Sequence, residues 1–442
     1  MALTSGERTV CEEIASRTDE LVGLASDLVG FDTTARDVGD PAREEAALQE
    51  HLAQRLQAAG GETDLWEPDA QAMEGRPLVP PGLDFSGRPQ LLARRKGAGG
   101  GRSLVFNGHI DAVSVEPRER WTSDPFAAEV RDGKLYGRGS CDMKGGVAAM
   151  VLAFEALASA GVELAGDLIV ATNTDEESSG AGSVALVEHG LKADAGIVTE
   201  PTSFEIWVAC RGSEYCVVRV PGRPGHAEIA QPDWRDGGAV NAIEKAAVVL
   251  EAIASLRKTW AARSDLDHPY LSRPSLLPTM ARAGEWAVTY PAYCDLTVAV
   301  LFVPGQADEN GWGTAVRREF EEWLGQETAR DDWLAENPPV VQWWPNHVMP
   351  LEISTGEPIV AAVREATADV GRPGPLGGLD SWYDGAALTK LGGIPSVGFG
   401  PPGFDRNGVS VAHMIDEFVP VDGLVACSQA LAVAAMRFCG TA

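Results

Sequence analysis

Basic side chains are in short supply in this 442-residue chain: 36 Lys and Arg stand against 64 Asp and Glu, a formal net charge of −28. Like charges repel, which argues against nucleic acid or an anionic membrane surface as a partner. The excess acid names no substrate. Cysteine is sparse too, seven residues with no paired spacing, so reduced thiols and a cytoplasmic setting are expected. The longest apolar run, residues 147–164, is broken by Glu155 and is too short and alanine-rich to span a bilayer. The opening M-A-L-T-S-G-E-R-T-V-C-E-E has neither a basic leader nor an apolar stretch, so no secretion signal is expected.

What remains is ordinary globular composition, 45% hydrophobic and 23% charged, in a chain longer than one core usually supports. Two domains are the expectation. Residues 11–29 and 42–59 read as amphipathic helices; in the second, Leu48, Leu52 and Leu56 recur every four residues. Residues 66–88, rich in Pro and Gly, read as a long loop, and the glycine run 96–102 as a hairpin turn. Strands at 103–106, 167–173 and 195–199 then alternate with helices at 146–160 and 182–190, the signature of a parallel α/β sheet with helical cover.

After Pro201 the pattern changes. W-V-A-C-R-G-S-E-Y-C-V-V-R-V alternates with period two, as a half-exposed antiparallel strand does. A helix over 238–256, a strand over 287–303 and a helix over 314–324 complete a small α+β set. The α/β pattern resumes with a helix over 357–370, a strand over 394–399 and a closing helix over 421–437. The predicted architecture is α/β: a catalytic domain with a mostly parallel mixed sheet (1–206 and 347–442), interrupted by a smaller α+β domain (207–346).

Chemistry gathers where the strands end. The first runs into His109 and Asp111, the second into Asp175, Glu176 and Glu177, the third into Glu200. Ligands of open α/β sheets bind outside the carboxyl ends of strands. G-R-G-S-C-D-M-K-G-G sets Asp142 among glycines just before a helix, where the backbone approaches a ligand closely. So many carboxylates cannot stay ionised together without a cation. An imidazole among them points to zinc or a similar borderline metal, and the surplus of acids to two ions. His413, after the strand 394–399, is the best-placed second histidine. Cys141, adjacent to Asp142 in an extended segment, points the other way.

The motifs G-H-I-D-A-V, G-R-G-S-C-D-M-K-G-G, T-D-E-E-S-S-G, T-E-P-T and A-H-M-I-D-E, in this order over nearly the whole chain, resemble the dinuclear zinc hydrolase family of acetylornithine deacetylase, succinyl-diaminopimelate desuccinylase, aminoacylase and carboxypeptidase G. The resemblance implies two Zn2+ ions, with Co2+ or Mn2+ as substitutes. His109 and Glu200 would hold one ion, Glu177 and His413 the other, and Asp142 would bridge them. Asp111 would orient His109, and Glu176 would be the general base on a metal-bridging water. Adjacent residues of an extended segment face opposite ways, so Glu176 and Glu177 can both serve only if T-D-E-E turns.

The inserted domain would then be a ferredoxin-like lid and dimerisation domain, with a homodimer formed through it. G-R-P-G-H-A-E-I-A-Q and N-A-I place His226 at the family's oxyanion-stabilising histidine and Asn241 at the opening of the lid helix, a substrate-binding position. One departure stands out. Members that bind a free substrate carboxylate carry an asparagine before the proline of a lid turn and an arginine beyond it. Here Ala287 and Val288 precede Pro291, and Leu301 falls at the arginine. An apolar side chain makes no bidentate contact with a carboxylate. Either Arg211 or Arg235 substitutes, or the substrate is bulkier and more apolar, as Trp286, Trp382 and Tyr383 suggest.

The resulting expectation is a metal-dependent deacylase of a small N-acyl amine or amino-acid-like amide, with aminopeptidase or dipeptidase as the alternative. A catalytically inactive binding relative is the third reading, and the intact Glu176 argues against it.

Overall fold

Fully buried strands form the middle of the larger of two compact units, and they set where His109, Glu176, Glu177 and Glu200 fall. The computed structural model describes residues 2–442. The larger unit comprises the chain up to Ala209 together with Leu351–Gly378 and Tyr383–Ala442; the smaller comprises Cys210–Pro350 and Leu379–Trp382.

In the larger unit, the strand Leu104–His109 lies between two parallel neighbours, Leu168–Asn173 and Ala195–Val198. Ser396–Gly398 adds a further parallel strand to the last of these. All residues of these four strands are buried, as expected where helices cover both faces. The register sets His109 opposite Asn173, and Asn107 opposite Val198, so the strands end nearly level. The sheet is nine-stranded and mixed, with Gln90–Arg95 and Glu62–Trp66 added antiparallel at one side. The helices Lys144–Ser159 and Val421–Cys439 pack together. The second is long and apolar enough to cross a membrane, yet most of it is buried within the protein.

Several expectations are corrected here. The helix over 11–29 is two helices, Ser5–Ser16 and Thr18–Gly30, broken at Arg17 (φ −102°, ψ 23°). Ser16 and Thr18 hydroxyls donate back to the Glu13 and Ala15 carbonyls and compete with the helical ladder at the break. The glycine run 96–102 is no hairpin turn, because Leu168–Asn173 lies between the strands it joins. Its amides instead lie on the chain at Leu164 and Ala165, where Ala98 and Gly99 donate to those carbonyls. The loop over 66–88 holds a short helix, Ala70–Met73.

The smaller unit is a four-stranded antiparallel sheet in the order Ser275–Ala283, Tyr293–Phe302, Gly212–Pro221, Val340–Val348. The helices Ala242–Ala261 and Thr314–Thr328 share its core through Leu256, Trp260 and Phe320, against Val218 and Val298. The expected strand over 287–303 begins only at Tyr293. The edge strand Ser275–Ala283 escaped notice because its exposed residues show no alternation.

Some glycines are required by close backbone approach and others are not. A Cβ on Gly146, in the first turn of Lys144–Ser159, would lie 2.0 Å from the Thr199 carbonyl oxygen. One on Gly325, in Thr314–Thr328, would meet nothing within 4 Å. Gly146→Ala is therefore expected to lose about 1–3 kcal/mol of stability, and Gly325→Ala to gain up to about 1 kcal/mol. Denaturation midpoints of the two variants should move in opposite directions.

Candidate active site

His109 is the last residue of its strand and is 1% exposed. Its Nδ1 lies 2.9 Å from the Asp111 carbonyl oxygen, a contact that requires the proton on Nδ1. Nε2 faces Asp142 Oδ1, 3.2 Å away, donating to it when the ring is charged and, once deprotonated, offering its lone pair to a cation. Asp142 precedes the helix Lys144–Ser159 and divides its two oxygens between two histidines: Oδ2 lies 3.4 Å from His413 Nε2. His413 Nε2 is in turn 3.1 Å from Glu177 Oε2. Ligand atoms of His109, Asp142 and Glu177 all fall within 4.8 Å of one another. Glu200 follows the strand Ala195–Val198; its buried Oε1 has no hydrogen-bond partner among the described residues.

The T-D-E-E segment does turn. Asp175 sits at φ 62°, in the left-handed region, held by the Arg88 guanidinium and the Thr174 hydroxyl. Gln90 brackets Thr174 by accepting its amide N–H and donating to its hydroxyl. Glu176 and Glu177 then stand beyond the strand, and both their backbone N–H groups donate to the Asp111 carboxylate, at 3.2 and 3.0 Å. Asp111 thus does two things: its carbonyl meets the His109 ring, and its side chain holds the turn. Its own Oδ1 lies 3.5 Å from His109 Nδ1, longer than the carbonyl contact.

Sequence reasoning missed Arg88 and Asp384. Asp384 is fully buried, accepts from Asn173 Nδ2 at 2.6 Å, and opens the short helix Gly385–Lys390. The one available signal, an acidic residue before G-A-A-L, reads equally well as an ordinary helix cap.

The crowding shows in the proton affinities. Burial, then the charge of Asp142, pushes the Glu177 carboxyl up to about 7. Burial drives Glu176 and Glu200 well above the usual carboxylate range, partly opposed by His109. Burial also acts on Asp142, but hydrogen bonds from His109 and His413 outweigh it and hold that carboxyl below its ordinary value. His413, bonded to Asp142 and Glu177, is pushed up to about 10.

The remaining candidates lie in the smaller unit, apart from Tyr383. His226 is exposed and its Nδ1 accepts the Glu228 N–H, which places a neutral ring's proton on Nε2. Asn241 caps the helix Ala242–Ala261 by accepting from the Ile243 N–H. Arg211 donates to the Asp380 and Arg273 carbonyls, and Arg235 to Asp332. Leu301 is half-buried and Trp286 is 72% exposed. Tyr383, expected beside an apolar substrate, is instead fully buried and donates to the Trp207 carbonyl.

Residues 105–437 match the family described as peptidase family M20/M25/M40. A deformylase of N-formyl-4-amino-5-aminomethyl-2-methylpyrimidine from Bacillus subtilis is 27% identical over 437 residues, 94% of this chain and 93% of that protein. Acetylornithine deacetylase of Myxococcus xanthus is 30% identical over 422 residues, 94% and 96% of the two chains. Among solved structures, human carnosine dipeptidase 1 superposes with a TM-score of 0.70 at 17% identity, covering 99% of each chain.

Metal ligands bind deprotonated. At pH 7 a cation held by His413, raised to about 10, and by Glu177, raised to about 7, would therefore have to displace their protons. Adding zinc to ion-free protein is expected to release on the order of one proton per ion, with apparent affinity falling as pH drops from 7 to 6. Calorimetry in buffers of different ionisation enthalpy checks this, and zinc uptake without proton release would contradict it.

Proposed function

The chain belongs to peptidase family M20/M25/M40, hydrolases of amide bonds, and on that premise we propose that it removes a small acyl group from an amine that lacks a free carboxylate, using two divalent cations. The observation that carries the reading is Asp142, whose two oxygens serve His109 and His413 separately. Two imidazoles and the carboxyls of Asp142, Glu177 and Glu200, the last with a partnerless oxygen, form a donor set of the nitrogen and oxygen type that suits zinc, with cobalt or manganese as substitutes. His109 and Glu200 would hold one ion and Glu177 and His413 the other, with Asp142 shared. Such a pair, when bound, supplies Lewis acidity to water and to the amide carbonyl.

The protein's own part falls to Glu176. Its Oε2 is 3.9 Å from His109 Nε2, and burial favours the protonated form. In its ionised form a carboxyl so placed takes a proton from the attacking water, and the acid so formed returns it to the leaving amine. Nε2–H of His226 is the donor suited to a developing oxyanion. Leu301 supports a substrate without a free carboxylate, and the formylated pyrimidine for which the deformylase relative is named carries none. The buried thiols fit a cytoplasmic enzyme. The open edge strand Ser275–Ala283, with Leu277 and Met280 exposed, fits pairing with a second copy through the smaller unit.

Glu176→Gln is expected to lower turnover of N-acyl amines by about 10²- to 10⁴-fold while metal analysis still finds both ions; Asp142→Asn should lose metal. An amide panel assayed with and without chelator separates this reading from a dipeptidase, since preferred cleavage of dipeptides would reject it.

A further inference from the structure

Resting on the metal reading above, we propose that Glu417 is a positioning residue that, together with Arg138, locks Asp142 and His413 into one frame. Glu417 is 1% exposed, four residues beyond His413. Its Oε1 accepts two backbone N–H groups, those of Cys141 at 2.8 Å and of Asp142 itself at 3.0 Å. Its Oε2 accepts from Arg138 Nη1 at 2.5 Å. The same Nη1 donates to the Met414 carbonyl, next to His413, and Nη2 donates to the Ser114 carbonyl, on the loop after His109 and Asp111. The guanidinium lies over the Trp121 ring, 5.0 Å from its centroid.

One buried ion pair therefore ties three segments that are distant in sequence, each carrying a candidate ligand. The His413 segment needs such ties. His413 and Asp416 both adopt positive φ, 63° and 57°, and Asp416 is itself fastened to the Thr122 amide and hydroxyl. A buried ion pair roughly breaks even against apolar packing, so stability alone is a poor reason for this one. Its distinguishing feature is the second carboxylate oxygen, spent on the Cys141 N–H and on the N–H of the peptide that enters Asp142. Rotation of that peptide would swing Oδ1 and Oδ2 away from the two imidazoles at once.

Two double variants separate positioning from packing. Arg138→Met with Glu417→Gln removes both charges but keeps an acceptor for the Cys141 and Asp142 amides. Arg138→Met with Glu417→Met removes the acceptor as well. Zinc affinity, measured by chelator competition, and the cobalt(II) absorption spectrum are the readouts. The second double is expected to bind zinc about 10- to 100-fold more weakly than the first, with an altered cobalt spectrum. Equal affinities in the two doubles would overturn the proposal. Should a double fail to fold, Arg138→Lys carries the test: it keeps the charge and gives up the fork, so affinity equal to wild type would overturn the proposal. Unsubstituted protein that binds no metal would overturn the metal reading and this proposal together, which the wild-type control reveals directly.

Discussion

Negative charge gathered in a dry place is the constraint on which the structure turns. Asp142, Glu176, Glu177 and Glu200 meet at one edge of a buried sheet, none of their side chains more than 15% exposed, and water screens them poorly there. His109 and His413 are the only imidazoles facing that group among the described residues, and both are drawn toward the charged form by it. The glycines and the left-handed backbone at Asp175 and His413 follow from the same need, because side chains from separate segments must converge within a few ångströms.

Much of this was legible in the sequence because strand ends are legible. Leu104–His109, Leu168–Asn173 and Ala195–Val198 are short apolar runs that stop at a polar residue, and the parallel-sheet rule gathers those stops at one edge. The family motifs supplied the order. What the sequence concealed was how the groups are held. Nothing in T-D-E-E announces that Asp175 goes left-handed, since that depends on Arg88, distant in the chain. Asp111 was expected to steady His109 with its carboxylate; its carbonyl makes the shorter contact, and the carboxylate spans to Glu176 and Glu177.

The antiparallel elements were harder to read for a different reason. Ser275–Ala283 is an edge strand with most of its residues in solvent, so neither face imposes a hydrophobic period. Val340–Val348 carries tryptophans and a proline in place of an alternating pattern. The glycine run 96–102 looked like a hairpin because neighbouring strands in sequence are usually neighbours in space. Here Leu168–Asn173 takes the place between them, a long-range pairing that no local signal encodes.

The strand Ser396–Gly398 has a consequence for the order of assembly. It pairs with Ala195–Val198 in the middle of the sheet, and His413 and Glu417 come after it. A chain still emerging from the ribosome has made His109, Asp142 and Glu200 long before it can finish the sheet beside them. The second imidazole beside Asp142 and the carboxylate that holds its amide are thus made after all four acids. Non-local pairing is slow to form, so the tie between Glu417 and the Asp142 amide, 275 residues apart in sequence, joins the site from its far end.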